Sequence, residues 1–219
     1  MINCKVIGVT KPVVSFIPDS EDIISFCARV SNPSNQTQFD TSEKLLRYCV
    51  RNSHWSVFET VSLTMEIECP RDIARQILRH RSFSFQEFSQ RYAEATSFIT
   101  RECRLQDTTN RQNSTEINDD ELASWWEDSQ NELLTQIDYF YKKALEKGIA
   151  KEVARCILPE GLTMSKMYMN GTVRSWLHYI DLRQDNGTQK EHREVALKCK
   201  EVIKEYFPTL IEMLGKESS

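Results

Sequence analysis

Thr60-Val61-Ser62-Leu63-Thr64-Met65-Glu66-Ile67-Glu68-Cys69-Pro70-Arg71-Asp72-Ile73-Ala74-Arg75-Gln76-Ile77-Leu78 changes its hydrophobic period in mid-course. Before the proline, Val61, Leu63, Met65, Ile67 and Cys69 alternate with polar neighbours, the period of a half-buried strand. After it, Ile73, Ala74, Ile77 and Leu78 recur at helical spacing, and proline is well tolerated where a helix opens. The stretch therefore predicts a strand over 60–69 running directly into a helix over about 71–80.

Outward from there, residues 2–10 are rich in β-branched side chains and predict a first strand. Residues 20–30 begin with Ser20 as a plausible N-cap and place Ile23, Ile24, Cys27 and Val30 on one helical face. A turn follows at 32–35 and a second amphipathic helix at 41–52, capped by Thr41 or Ser42. Residues 104–120 are polar and without periodicity, which reads as a long loop. Residues 119–147 predict the longest helix, with an apolar stripe of Leu122, Trp126, Leu133, Ile137, Phe140 and Ala144, and Gly148 as its C′ residue. Helices at about 149–157, 172–184 and 189–206 complete the chain. Strands early and helices late predict an α+β fold, a mixed or antiparallel sheet with several long helices, in one domain over 1–219.

Bulk properties limit the function. The formal charge is −4, so a nucleic-acid role would need a local basic patch. Seven cysteines with no C-x-x-C pair give little support to zinc or disulfide chemistry and suit reduced thiols in the cytoplasm. The N-terminal stretch lacks the long apolar run of a signal peptide, and no span of apolar residues is long enough for a membrane. Six glycines form neither G-x-G-x-x-G nor a P-loop, so a Rossmann unit is not expected. Nucleotide phosphates would have to be held by arginine forks instead.

Such forks are concentrated between Arg71 and Arg91, where five arginines face Asp72 and Glu87. Gln76, Arg79 and His80 share one helical face. Beyond them Ser84 and Gln86 alternate with Phe83 and Phe85, as in an extended segment with one polar side. Three readings fit these residues alone: a solvated helix end, a nucleic-acid patch with interleaved aromatics, or a pocket for a phosphate or a pyrimidine edge.

The segment Arg79-His80-Arg81-Ser82-Phe83-Ser84-Phe85-Gln86-Glu87-Phe88-Ser89-Gln90-Arg91 resembles the signature R-H-R-x-x-S-x-x-x-x-S-x-R of flavin-dependent thymidylate synthases. His54-Trp55-Ser56-Val57-Phe58-Glu59 resembles that family's H-x-[ST]-x-x-E segment. Cys27-Ala28-Arg29-Val30-Ser31 is similar to its early helix end, and Ala154-Arg155-Cys156-Ile157-Leu158-Pro159 to its A-R-x-x-L-P. The run from Arg174 through His178 to Arg183, followed by Gln189 and Glu191, resembles a later helix. The matches occur in family order over roughly residues 27–192. Gln86 is a departure, since many members carry Asn there.

The resemblance implies methylation of dUMP to dTMP. Methylenetetrahydrofolate would be the carbon donor, FAD the hydride carrier and NADPH its reductant, within a homotetramer whose sites are shared between subunits. Neither nucleic acid nor membrane is implied as a partner, and no metal. It implies dUMP contacts from Gln76, Arg79, Glu87, Ser89, Gln90, Arg91, Arg155 and Arg183, with Arg91, Arg155, Ser89 and Gln76 at the phosphate. It implies FAD contacts from Ser31, His54, Ser56, Glu59, Arg79, His80, Arg81, Glu87, Thr172, Arg174 and His178. Arg183 would be catalytic, a guanidinium stabilising charge on the uracil edge. The family uses no cysteine nucleophile, and Ser89 has no evident base partner, which suits binding rather than attack.

Overall fold

The computed structural model describes residues 2–95 and 97–214. Strand β1 (Asn3–Val9) is followed by helices α1 (Ser20–Ala28) and α2 (Ser42–Arg51), then a 3-10 turn over Trp55–Glu59. Strand β2 (Ser62–Pro70) runs without a loop into α3 (Arg71–Ile77), as the change of period predicts. Strand β3 (Ser84–Glu87) and a small hairpin of β4 (Leu105–Gln106) and β5 (Ser114–Thr115) precede the long helix α4 (Asp120–Glu146). The short helix α5 (Lys151–Ala154), strand β6 (Met164–Thr172) and helices α6 (Val173–Arg183), α7 (Lys190–Ile203) and α8 (Pro208–Met213) close the fold.

The four main strands lie in the order β1-β2-β6-β3, antiparallel throughout. Register sets the core: Leu63 faces Gly171, Met65 faces Met169 and Ile67 faces Met167. With a side-chain period of two, all of these point to one face. There they meet Ile73, Ala74 and Ile77 of α3, Trp176, Tyr179 and Ile180 of α6, and Val195, Ala196 and Cys199 of α7, all buried. The other face is polar, with Lys166 paired to Glu68 at 2.9 Å and Asn170 bonded to Thr64 at 2.7 Å. The expected α+β architecture is present.

The structure corrects the sequence reading in detail. A late strand, β6, sits between β2 and β3, so strands are not confined to the first half. Its inward positions are Ser165, Met167, Met169 and Gly171, residues with little of the β-branched signature that marks β1 and β2. The N-cap of α1 is Asp19, whose carboxylate accepts from the Asp22 amide at 2.9 Å, and not Ser20, whose hydroxyl donates to the Thr10 carbonyl. Residues 104–120 are not wholly loop: Asp107 accepts from the Thr109 and Asn110 amides and the Asn113 side chain, pinning the β4–β5 turn. Helix α5 tightens into a 3-10 turn at Arg155–Ile157, well short of one regular helix over 149–157. The stripe on α4 is largely turned to solvent, with Phe140 at 58% and Leu133 at 48% exposure. Gly148 does take the left-handed φ of +80° that a C′ residue requires.

Candidate active site

Helix α3 stops one turn before its predicted end. The His80 amide donates to the Ile77 carbonyl at 3.0 Å, and the imidazole is set edge-on against buried Tyr179, centroids 4.9 Å apart. Arg183, the last residue of α6, donates its Nε–H to His80 Nε2 at 3.0 Å. A guanidinium can only donate, so His80 Nε2 holds a lone pair and the ring is neutral with its proton on Nδ1. Burial, then the Arg183 and Arg79 charges, push the imidazole down to about 4, in agreement with that state. Among the described residues Arg183 makes no ion pair with nearby Asp181 or Asp185, and Asp181 accepts from Gln184 instead.

Beside this pair, Gln76 donates through Nε2 to Gln189 Oε1 at 2.7 Å, and its Oε1 lies 3.2 Å from Nδ1 of His192. Gln189 donates in turn to Glu191 at 2.9 Å. Glu191 is clamped by Arg104 and, at 3.3 Å, by Arg101, which also bonds Asp72 at 2.6 Å. His192 is fully buried and was invisible to sequence reading, since a lone histidine on an amphipathic helix carries no motif.

Glu87 leads a second group. Its carboxylate accepts from Arg75 at 2.7 Å and from Ser165 Oγ at 2.9 Å, with Arg71 at 3.6 Å. Arg71 and Arg75 also pair with Glu160. The basic stretch is therefore no open cationic patch: three of its five arginines, Arg71, Arg75 and Arg91, are ion-paired, and Arg71 is only 6% exposed. Arg91 pairs with Glu152 at 3.4 Å and Arg155 donates to the Glu152 carbonyl at 3.3 Å, so α5 brings these two arginines together. Ser89 is half-buried and Gln90 buried beside them.

A third group surrounds the start of α6. Thr172 is its N-cap, accepting from the Ser175 amide at 3.3 Å. Arg174 pairs with Glu59, and His178, one turn on, lies edge-on to Trp55 at 4.5 Å. Burial and the Arg174 charge lower the His178 imidazole from its ordinary value. His54 contacts Tyr48 in the same manner at 5.6 Å. Ser31, Ser56, Arg79 and Arg81 are exposed, and among the described residues their side chains form no hydrogen bond or ion pair with another residue of the expected set.

Among the described residues, the three groups are not seen to line one common cavity. A cavity of about 440 Å³ is lined by Glu68, Phe88, Glu94, Met164, Ser165 and Lys166 among others, and by none of the expected site residues. What the fold provides is three polar groups, partly buried, each holding at least one guanidinium. Forks of this kind suit phosphate, and the edge-on aromatic pairs suit a planar ring system.

The profile of the family described as thymidylate synthase complementing protein matches residues 12–209. A probable flavin-dependent thymidylate synthase of Paramecium bursaria Chlorella virus 1 is 49% identical over 214 residues, covering 97% of this chain and 99% of that one. A flavin-dependent thymidylate synthase of Synechocystis is 47% identical over 216 residues, with the same coverage of both chains. Among solved structures, a UMP/dUMP methylase of Streptomyces cacaoi superposes with a TM-score of 0.81 over 97% of this chain and 93% of its own, at 24% identity, a likeness of fold. With matches of that extent across the segments that build the three groups, the chain belongs to the family of flavin-dependent thymidylate synthases.

Proposed function

We propose that this protein converts dUMP to dTMP by reductive methylation, with methylenetetrahydrofolate as carbon donor. The observation that carries the reading is the Arg183–His80 pair. Nε of Arg183 is spent on a neutral imidazole, which leaves the two terminal amino groups to donate elsewhere in a fixed direction. Directed at a uracil edge, they would stabilise the charge that develops as the ring becomes nucleophilic, an oxyanion-type effect typically worth ~3 kcal/mol. Arg91, Arg155, Ser89 and Gln76 would hold the substrate phosphate, with Arg79, Glu87 and Gln90 completing the nucleotide site.

The residues present fit FAD. Arg79, Arg81 and Arg174 offer fork-shaped donors for its pyrophosphate, and His178, His80 and His54 offer planar rings beside its aromatic parts. Ser31, Ser56, Glu59, Glu87 and Thr172 would supply the remaining polar contacts. Bound FAD, reduced by NADPH, would supply the hydride that the methyl group requires.

A homotetramer with shared sites would bring the three groups together. Its support is the exposed apolar side chains along α4, Trp125 at 60% with Leu133 and Phe140 exposed as well. Large apolar side chains exposed along one helix suit an association face. The seven cysteines are free, four of them in the core, which supports a reducing, cytoplasmic setting. No described helix is long and apolar enough to cross a membrane.

The test is an absorption spectrum of the purified protein. It should show oxidised-flavin bands that bleach with NADPH, and the reduced protein should form dTMP from dUMP and methylenetetrahydrofolate. Protein that binds no flavin after incubation with FAD overturns the reading.

A further inference from the structure

The direction of every hydrogen bond between Glu191 and His192 is determined, and the chain of bonds passes through Gln76. The Glu191 carboxylate has only acceptors, being ion-paired with Arg101 and Arg104. The group of Gln189 that faces it, 2.9 Å away, must therefore be the amide nitrogen. That turns the Gln189 carbonyl toward Gln76, so the Gln76 group 2.7 Å from it is also the amide nitrogen. The Gln76 carbonyl is left facing His192 Nδ1 at 3.2 Å, and this ring atom must be the donor. One N–H of Gln76 is used on Gln189 and its carbonyl is used on His192. What remains to Gln76 is a single free N–H, while its carbonyl oxygen is turned toward His192.

We propose that His192, Gln189 and Glu191 are positioning residues that lock the Gln76 amide as a donor toward the substrate phosphate. The inference rests on the functional reading above, in which Gln76 meets that phosphate. A phosphate dianion offers only acceptors, so an amide turned the other way would set its carbonyl oxygen against the anion. An isolated glutamine exchanges the two orientations at little cost, because its two ends differ by little in shape. Here the exchange would put two carbonyls face to face at Gln189 and set an amide N–H against the Nδ1–H of fully buried His192, leaving that ring nitrogen without a partner. His192 is suited to the end of the chain. It is fully buried, held against Tyr179 with centroids 5.8 Å apart, and kept neutral by burial and the Arg183 charge. Its Nε2 has no partner among the described residues, as a ring engaged only through Nδ1 requires.

Two measurements test this on the FAD-loaded protein. In protein labelled with 15N-histidine, long-range nitrogen–proton spectra should place the His192 proton on Nδ1, with or without dUMP. Dissociation constants for dUMP should rise about tenfold in His192→Leu and in Gln189→Met, the scale of one hydrogen bond to a charged group. Bound flavin and kcat at saturating dUMP should change less than threefold. His192→Asn, whose Nδ2 falls where Nδ1 lies, should restore dUMP affinity to within about threefold of the original. A proton on Nε2 overturns the inference. So does unchanged affinity in Gln189→Met, which carries the affinity test if His192→Leu does not fold, or an Asn variant no better than the Leu variant. A parent protein that does not bind dUMP overturns the functional reading together with the inference; a parent that binds it, with these variants unaffected, overturns the inference alone.

Discussion

Arg183 and His80 meet at 3.0 Å across 103 residues of sequence, joining the end of α6 to the segment that follows α3. The contact holds the guanidinium at one nitrogen and leaves its other donors directed. Replacing Arg183 with alanine should therefore leave flavin binding in place and reduce dTMP formation by roughly a hundredfold or more, the effect of losing one preorganised donor. Turnover with a retained flavin spectrum is the measurement, and a fully active variant would refute the catalytic assignment.

Acid should destabilise the protein through its buried rings. His192 is pushed down to about 3 and His80 to about 4, against 6.5 for an exposed imidazole. Between those values and about 6.5 the unfolded chain binds protons that the folded chain refuses, so stability falls as pH falls through that window. His192→Asn removes one of the two groups. Its stability relative to the parent should improve as pH drops from about 6.5 to about 4, by on the order of 2 kcal/mol. Urea midpoints measured across that range check the sign.

Glu21 works in the opposite sense. It is buried at the start of α1, where it accepts from the Leu210 amide at 3.1 Å, and burial pushes its carboxyl up to about 7. The folded chain holds this proton while the unfolded chain releases it near 4.5, so its contribution is lost as pH rises from about 4.5 through 7. Glu21→Gln keeps an acceptor for Leu210 and cannot ionise. It should match the parent near pH 4.5 and exceed it by on the order of 2 kcal/mol at pH 8, as read from denaturant melts.

Gly171 marks a place where the core admits no side chain. A Cβ there would lie 2.4 Å from the ring of Phe83, and that ring is itself set edge-on against Trp176 at 4.9 Å. Gly171→Ala should cost ~1–3 kcal/mol through overpacking and lower the melting temperature accordingly. Because Phe83 belongs to the segment carrying His80 and Glu87, the variant should also weaken dUMP binding; an unchanged melting temperature would show that the ring moves aside freely.

Local chemistry determines much of this protein without any tertiary contact. The alternation from Val61 to Cys69 requires a strand with one buried face, the spacing after Pro70 requires a helix, and Gly148 ends α4 because a left-handed residue is needed there. These features depend on neighbours a few residues apart, and periodicity reports them. The motif segments likewise carried the family in their own residues. Tertiary structure decided the rest. Strand β6 occupies the middle of the sheet because flanking strands satisfy its backbone, although Ser165 and Gly171 on its inner face give little local preference. Arg71 and Arg75 look like free positive charge in sequence and are neutralised by Glu87 and Glu160, which only folding brings near. His192 acquires a partner, a protonation state and a direction only when α7 packs against α3, because hydrogen-bond polarity is a property of the assembled network and of no residue in it.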